Sequence, residues 1–355
     1  MTDRWWEMYT QQAEASGAAD LPARLPADVQ ALLESLDVDV LDPSTYTGLE
    51  FGTLAQGFLD LLYAQSAGVK QTVGMLLGVV LLCALFGGLE GAVGNLALRR
   101  SYRGVAVLAA GGAVLTPLFA LFSEVWEAVE QVTVFLTSYV PVYGAILLTS
   151  GRAASAASYQ TTLLAAVQLF LWLVRRGVFP LLLVSLALGC TGSVSEGFCL
   201  DRLSATLHKA ILWTLGLFST LFSGLLSLQQ MVAAAGDRMS TRVVKFSLSS
   251  FVPVVGGVLS EAYNTVVGCG GLLRSTVGAF GLLSVVLVVL PPLLSCVCWN
   301  VGLHLAGGVA AVFGLAPLDT LCRTAAGVVR VLIAVLAVFA LLMILSTSVV
   351  VFVGR

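Results

Sequence analysis

The chain has 355 residues, of which 58% are apolar and 11% charged, with a formal net charge of −2 and a mean hydropathy of +0.96. Soluble domains carry about a quarter of their residues as charges, so this composition excludes a water-soluble globular fold. The small net charge conceals an asymmetry: residues 1–71 hold 11 acidic and 3 basic side chains, residues 72–355 hold 9 and 15.

The basic residues are scattered singly or in pairs between apolar runs, without the clustered Lys/Arg face and interleaved aromatics of a nucleic-acid groove. Nucleic acid is therefore not an expected partner. Seven cysteines (Cys83, Cys190, Cys199, Cys269, Cys296, Cys298, Cys322) are odd in number and show no zinc spacing. They read as small buried hydrophobes, with a Cys190–Cys199 bridge as the alternative.

In chain order, Met1–Glu7 is followed by polar sequence, so no signal peptide is read there. Pro26-Ala27-Asp28 leads into a helix over Val29–Leu36, and Leu54, Phe58, Leu61 and Leu62 share a second helical face. The turn-prone Asp42-Pro43-Ser44 separates them. Residues 1–71 are thus expected to form a polar, acidic segment of one or two amphipathic helices lying on a membrane surface or a partner.

A bilayer core of about 30 Å takes about 20 apolar helical residues. Val73–Gly88, Gly104–Phe122, Val132–Thr149, Ile211–Leu228, Val277–Trp299 and Val329–Val353 meet this requirement. Thr161–Gly189, interrupted by Arg175-Arg176-Gly177 and Pro180, spans once with a large tilt or breaks in two. Val301–Leu315 is short, Gly-rich and compatible with a re-entrant element. The expected fold is all-α: residues 72–355 form a polytopic integral membrane bundle of six to eight spans. Loop basicity puts Arg99, Arg100 and Arg103, and also Arg238, Arg242 and Lys245, on the cytoplasmic side and residues 1–71 outside.

Catalytic templates are missing. No Gly-Lys pair is available for a P-loop, H-E-x-x-H does not occur, and His208 and His304 are the only histidines. No catalytic residue, metal site or cofactor is expected, and Ser195 lacks the glycine and strand of a serine elbow. Small residues recur every four positions at Gly74/Gly78, Gly87/Gly91 and Gly216/Thr220/Gly224, which reads as helix packing within or between subunits. Glu124, Glu127 and Glu130 form an acidic stripe opposite Val125, Val129 and Val132, which reads as a helix emerging into water or, alternatively, as a cation-attracting vestibule. Arg175 and Arg176 are candidate intramembrane charges, because ionisable groups at membrane depth usually face a cavity, the bundle interior or a partner.

The stretch Gln229–Arg274 is too polar at its ends and too Gly/Pro-interrupted for an ordinary span, and an interfacial or re-entrant element would accommodate it. Within it and just beyond run Arg242, Lys245-Phe246, Phe251-Val252-Pro253-Val254, Gly256, Glu261, Thr265-Val266, Arg274, Thr276-Val277-Gly278 and Gly281. In this order and spacing the run resembles the stage III sporulation protein AE family of endospore-forming bacteria, with a looser likeness from about Pro26 to the C-terminus.

The resemblance implies a multipass protein of the mother-cell membrane around the forespore. It implies a non-enzymatic role in a channel or secretion-like complex. The partners it implies are the other stage III sporulation proteins, among them a cytoplasmic ATPase, and, indirectly, a forespore protein across the intermembrane space. The alternative is a secondary transporter for a small molecule. Candidate functional residues are Arg242, Lys245, Phe246, Pro253, Gly256, Glu261 and Arg274. Arg242 and Lys245 are read as a membrane boundary or docking point, Pro253 and Gly256 as shaping the interruption, and Glu261 as facing a polar lumen or a cation.

Overall fold

The computed structural model describes residues 2–47, 70, 73–75, 77–85, 96–194, 200–251 and 256–352. Among the described residues the structure is helical, without a strand. The N-terminal segment forms α1 (Thr2–Ser16), α2 (Ala27–Ser35) and α3 (Pro43–Thr47). A short apolar helix, α4 (Val73–Leu85), precedes the long ones. These are α5 (Leu96–Thr149), α6 (Ala153–Leu173), α7 (Phe179–Val194), α8 (Leu200–Phe251), α9 (Gly256–Val312) and α10 (Ala316–Phe352). A π-turn, Val174–Val178, fuses α6 and α7 into one rod.

Among the described residues five stretches are long and apolar enough to cross a membrane: Gly111–Thr149, Ala153–Ser193, Arg202–Val244, Asn264–Val312 and Ala316–Ser348. They alternate in direction, giving a bundle with a Ser150 end and a Gly314 end. At each of these ends a glycine closes a tight helical hairpin. Gly151 (φ 74°) and Gly314 (φ 71°) adopt the left-handed conformation that an L side chain resists. Arg152 N–H then donates to Leu147 O and Leu315 N–H to Ala310 O, at 3.0 and 2.9 Å, so the last carbonyls of α5 and α9 are satisfied. The middle of α10, from Ala325 to Met343, packs against α9, α8, α7 and α5 and leaves one exposed stripe through Arg330, Ala337 and Leu341.

The segmentation differs from the sequence expectation. Gly104–Phe122 and Val132–Thr149 lie within one helix, α5, and Val277–Trp299 and most of Val301–Leu315 within another, α9. Pro117, Pro141, Pro291 and Pro292 sit inside these helices without ending them; neighbouring helices and local adjustments can satisfy the backbone groups a proline frees. The charged stretch Glu124–Glu130 is no exit into water either. Val125, Val129 and Val132 bury one face completely while Glu127 and Glu130 stay exposed, so the helix remains packed as it passes. Fusing the two predicted spans reverses the parity of everything after them. The N-terminal turns of α5, which hold Arg99, Arg100 and Arg103, therefore lie at the Gly314 end, and Arg238, Arg242 and Lys245 lie near the opposite end of α8. The two basic groups do not share a side.

The glycines that permit close approach are also not those of the expected stripes. A Cβ on Gly74, Gly78, Gly216 or Gly224 would meet nothing within 4 Å. At Gly281 it would strike the Tyr139 ring, at Gly189 the Thr324 side chain, and at Gly270 the Ser150 backbone. Gly87 and Gly91 lie outside the described residues. Of the described cysteines, Cys83, Cys269, Cys296 and Cys322 are buried and Cys190 and Cys298 partly so, all as free thiols; Cys199 lies outside the described residues.

The acidic segment folds onto the flank of α5 and α9 near the Ser150 end. Tyr9, Ala13, Leu21, Leu25, Val29 and Leu33 are buried in the same apolar core as the bundle. Gln12 Nε2 donates to Val266 O at 3.3 Å, the Cys269 thiol to Trp5 O at 3.8 Å, and the Tyr9 hydroxyl to Leu41 O at 2.8 Å. Burial raises the Tyr9 and Tyr46 hydroxyl pKa values. The Asp42 carboxylate starts α3 by accepting from Ser44 N–H and Oγ at 2.8 and 2.7 Å, which lowers its own pKa. The helix expected after Pro26 is α2; Leu54, Phe58, Leu61 and Leu62 lie outside the described residues.

Candidate functional site

Two charged assemblies stand out among the described residues of the apolar bundle. The first is a buried layer at the Ser150 end. Asp237, 6% exposed, comes from α8 and accepts hydrogen bonds from the Ala154 and Ser155 backbone N–H groups at 2.8 and 3.1 Å. No local side chain caps α6, so the carboxylate of another helix does so, at the positive end of the α6 dipole. Gly270 brings α9 against the Ser150 backbone, and one turn later Arg274 enters the layer, 8% exposed. Burial first, then the neighbouring Arg274 charge, lowers the Arg152 pKa, while Asp237 acts in the opposite sense. The Arg152 guanidinium thus sits between the influence of one buried carboxylate, Asp237, and that of a second cation, Arg274. Beneath them the Tyr143 hydroxyl, fully buried, has no hydrogen-bond partner. Tyr143 stacks on Tyr139, which stacks on Phe135, with ring centroids 5.5 and 5.4 Å apart.

The second is a belt at mid-length. Arg175 and Arg176 occupy the π-turn and are both exposed. With Trp126, Glu130, Thr133, Gln168 and Trp172 they line a cleft of about 790 Å³ between α5 and α6. The Arg175 guanidinium lies 5.9 Å from the Trp126 ring centre. A one-residue π-expansion rotates the side chains that follow it, which is how two adjacent arginines enter the rod without ending it. On α9 the same level follows Pro291-Pro292, where Ser295 Oγ donates to Glu124 at 2.9 Å.

A buried Ser185–His208 contact of 2.9 Å between α7 and α8 invites a nucleophile reading. The Ser185 hydroxyl, however, donates to Leu182 O at 2.8 Å, so the imidazole must be the donor in the pair. This polarity joins two helices and does not activate the serine. Residues 195–199, including Ser195, lie outside the described residues.

Of the candidate residues, only Arg274 belongs to the buried layer. Arg242 and Phe246 are exposed on α8 beyond Asp237, and Lys245 lies on the same stretch of helix. Gly256 begins α9 and Glu261 lies near its start, about 20 Å of helix before Arg274. Pro253 lies outside the described residues. Within the stretch 229–274, where an interruption is expected, residues 229–251 and 256–274 are helical, and 252–255 lie outside the described residues. Arg152, at a hairpin, and Asp237, beside the candidate run, are the partners that residue spacing did not single out.

These features define a multipass helical membrane protein. The chain belongs to the stage III sporulation protein AE family, whose model matches residues 44–354, and so to the proteins of sporulation. It is 28% identical over 229 residues to the stage III sporulation protein AE of Bacillus subtilis (strain 168), across 64% of this chain and 57% of that relative. The matched part thus spans little more than half of the relative's length. No solved structure matches the chain.

Proposed function

We propose that the protein is a non-enzymatic membrane component of the channel or secretion-like complex between mother cell and forespore. The family match over residues 44–354 carries this reading. Its partners are then the bilayer, the other stage III sporulation proteins with their cytoplasmic ATPase, and, indirectly, a forespore protein. A secondary transporter would gather several polar side chains from separate helices at mid-membrane. The interior between layer and belt combines aromatic packing, Phe135–Tyr139–Tyr143 and Phe170–Phe339, with buried polar side chains from three helices, Tyr159 and Thr162 on α6, Gln230 on α8 and Ser346 and Thr347 on α10. A transporter is therefore the alternative reading. Deleting the gene in its endospore-forming host is expected to abolish forespore-specific reporter expression after engulfment. Normal late expression and spore yield would overturn the proposal.

The distribution of charge supports one orientation. Near the Gly314 end Arg202, Lys209, Arg323 and Arg330 are exposed, with Arg323 paired to Asp319 at 2.7 Å. Near the other end the N-terminal segment exposes Glu7, Glu14, Asp20, Asp28 and Glu34. With Arg99, Arg100 and Arg103 at the Gly314 end as well, and Arg238, Arg242 and Lys245 as the opposing basic group at the other, we orient the Gly314 end to the mother-cell cytoplasm and the N-terminal segment outward. Cysteines introduced at Asp39 and Arg323 are expected to react with an impermeant maleimide from opposite sides. Reaction of both from one side would refute this topology.

A further inference from the structure

The apolar stretches run 33 to 49 residues, about 50–75 Å of helix, whereas a bilayer core is about 30 Å thick. One bilayer therefore covers only about half of the bundle. The belt lies about 35 Å of helix from the Ser150 end, measured from Arg152 to Arg175, and nearly 30 Å from the far end of α7. Whichever half the bilayer surrounds, the belt falls at its edge. Centring the membrane on the belt would instead place exposed Glu127, Glu130, Arg175 and Arg176 in hydrocarbon, where ionised side chains are costly.

The cleft between α5 and α6 at this level opens outward, since Trp172 and Val134 on its wall are 62% and 57% exposed. It presents two guanidinium groups and one carboxylate, a net charge of +1, with no ion pair among them. Guanidinium forks match phosphate oxygens bidentately, and tryptophan favours the headgroup level of a bilayer. Glu130, Gln168 and Thr133 add acceptors and donors for hydroxyl groups.

We propose that this cleft binds the headgroup of an anionic glycerophospholipid, with Arg175 and Arg176 on the phosphate and the acyl chains along the α5/α6 surface. The site is independent of the channel reading. Both arginines are exposed, so their replacement leaves the core intact.

Native mass spectrometry of the full chain, titrated with phosphatidylglycerol, phosphatidylcholine or inorganic phosphate, tests it. Wild type is expected to retain phosphatidylglycerol in preference to phosphatidylcholine, and the R175Q/R176Q double variant to lose roughly tenfold in that affinity. The R175K/R176K variant, which keeps charge but not the fork, is expected to fall between them. Equal retention by wild type and R175Q/R176Q would overturn the proposal. So would displacement of the lipid by millimolar inorganic phosphate, which would mark a site for a soluble anion.

Discussion

Replacing Asp237 with alanine is expected to destabilise the bundle by about 3 kcal/mol, the cost of removing one partner from a buried ionic arrangement. Two losses combine. The Ala154 and Ser155 N–H groups lose their acceptor at the start of α6, and the Arg152 charge, already beside that of Arg274, loses its favourable carboxylate. Asp237→Asn keeps one acceptor oxygen for the α6 backbone but removes the charge, so it should fall between wild type and alanine. Unfolding in mixed detergent–SDS micelles measures both. The assignment also predicts coupling. In the Asp237→Asn background, Arg152→Gln should cost less than it does alone, because the charge it removes is already uncompensated. A loss below about 0.5 kcal/mol for Asp237→Ala would mean that the layer contributes nothing to stability.

The second large effect is expected from a single methyl group. A Cβ at position 281 would lie 2.3 Å from Cζ of Tyr139, and that ring is fully buried and stacked on Phe135 and Tyr143. It has nowhere to move, so Gly281→Ala should cost about 1–3 kcal/mol by overpacking. Tyr139→Phe should not rescue it, since the ring carbons stay in place. Gly224→Ala, with nothing within 4 Å of the new Cβ, should be neutral or up to about 1 kcal/mol stabilising through helix propensity. Equal stabilities for Gly281→Ala and Gly224→Ala, measured by the same unfolding assay, would contradict the packing of α5 against α9.

The contrast between these two glycines shows where residue spacing stops being informative. Glycines at four-residue intervals on α8 are the visible pattern, yet they face outward. The glycine that lets two helices touch belongs to no stripe, because contact depends on which face of a neighbour arrives opposite it. The polar layer behaves likewise. Arg274 stood out within its run, but its surroundings include Arg152, more than a hundred residues earlier, at a hairpin whose only local mark is Gly151.

Composition and hydropathy by themselves determined that this is a helical membrane protein with an acidic N-terminal segment, because so much apolar length can be satisfied only by helices in lipid. The run from Arg242 to Gly281 carried the family. Only the tertiary structure decided how the apolar length is divided. Proline and charge usually end a span, but in α5, α6–α7 and α9 packing holds the helix through Pro117, Pro291 and the Arg175 π-turn. That continuity reverses the side on which later residues fall and sets Arg175, Arg176 and Glu130 around one cleft.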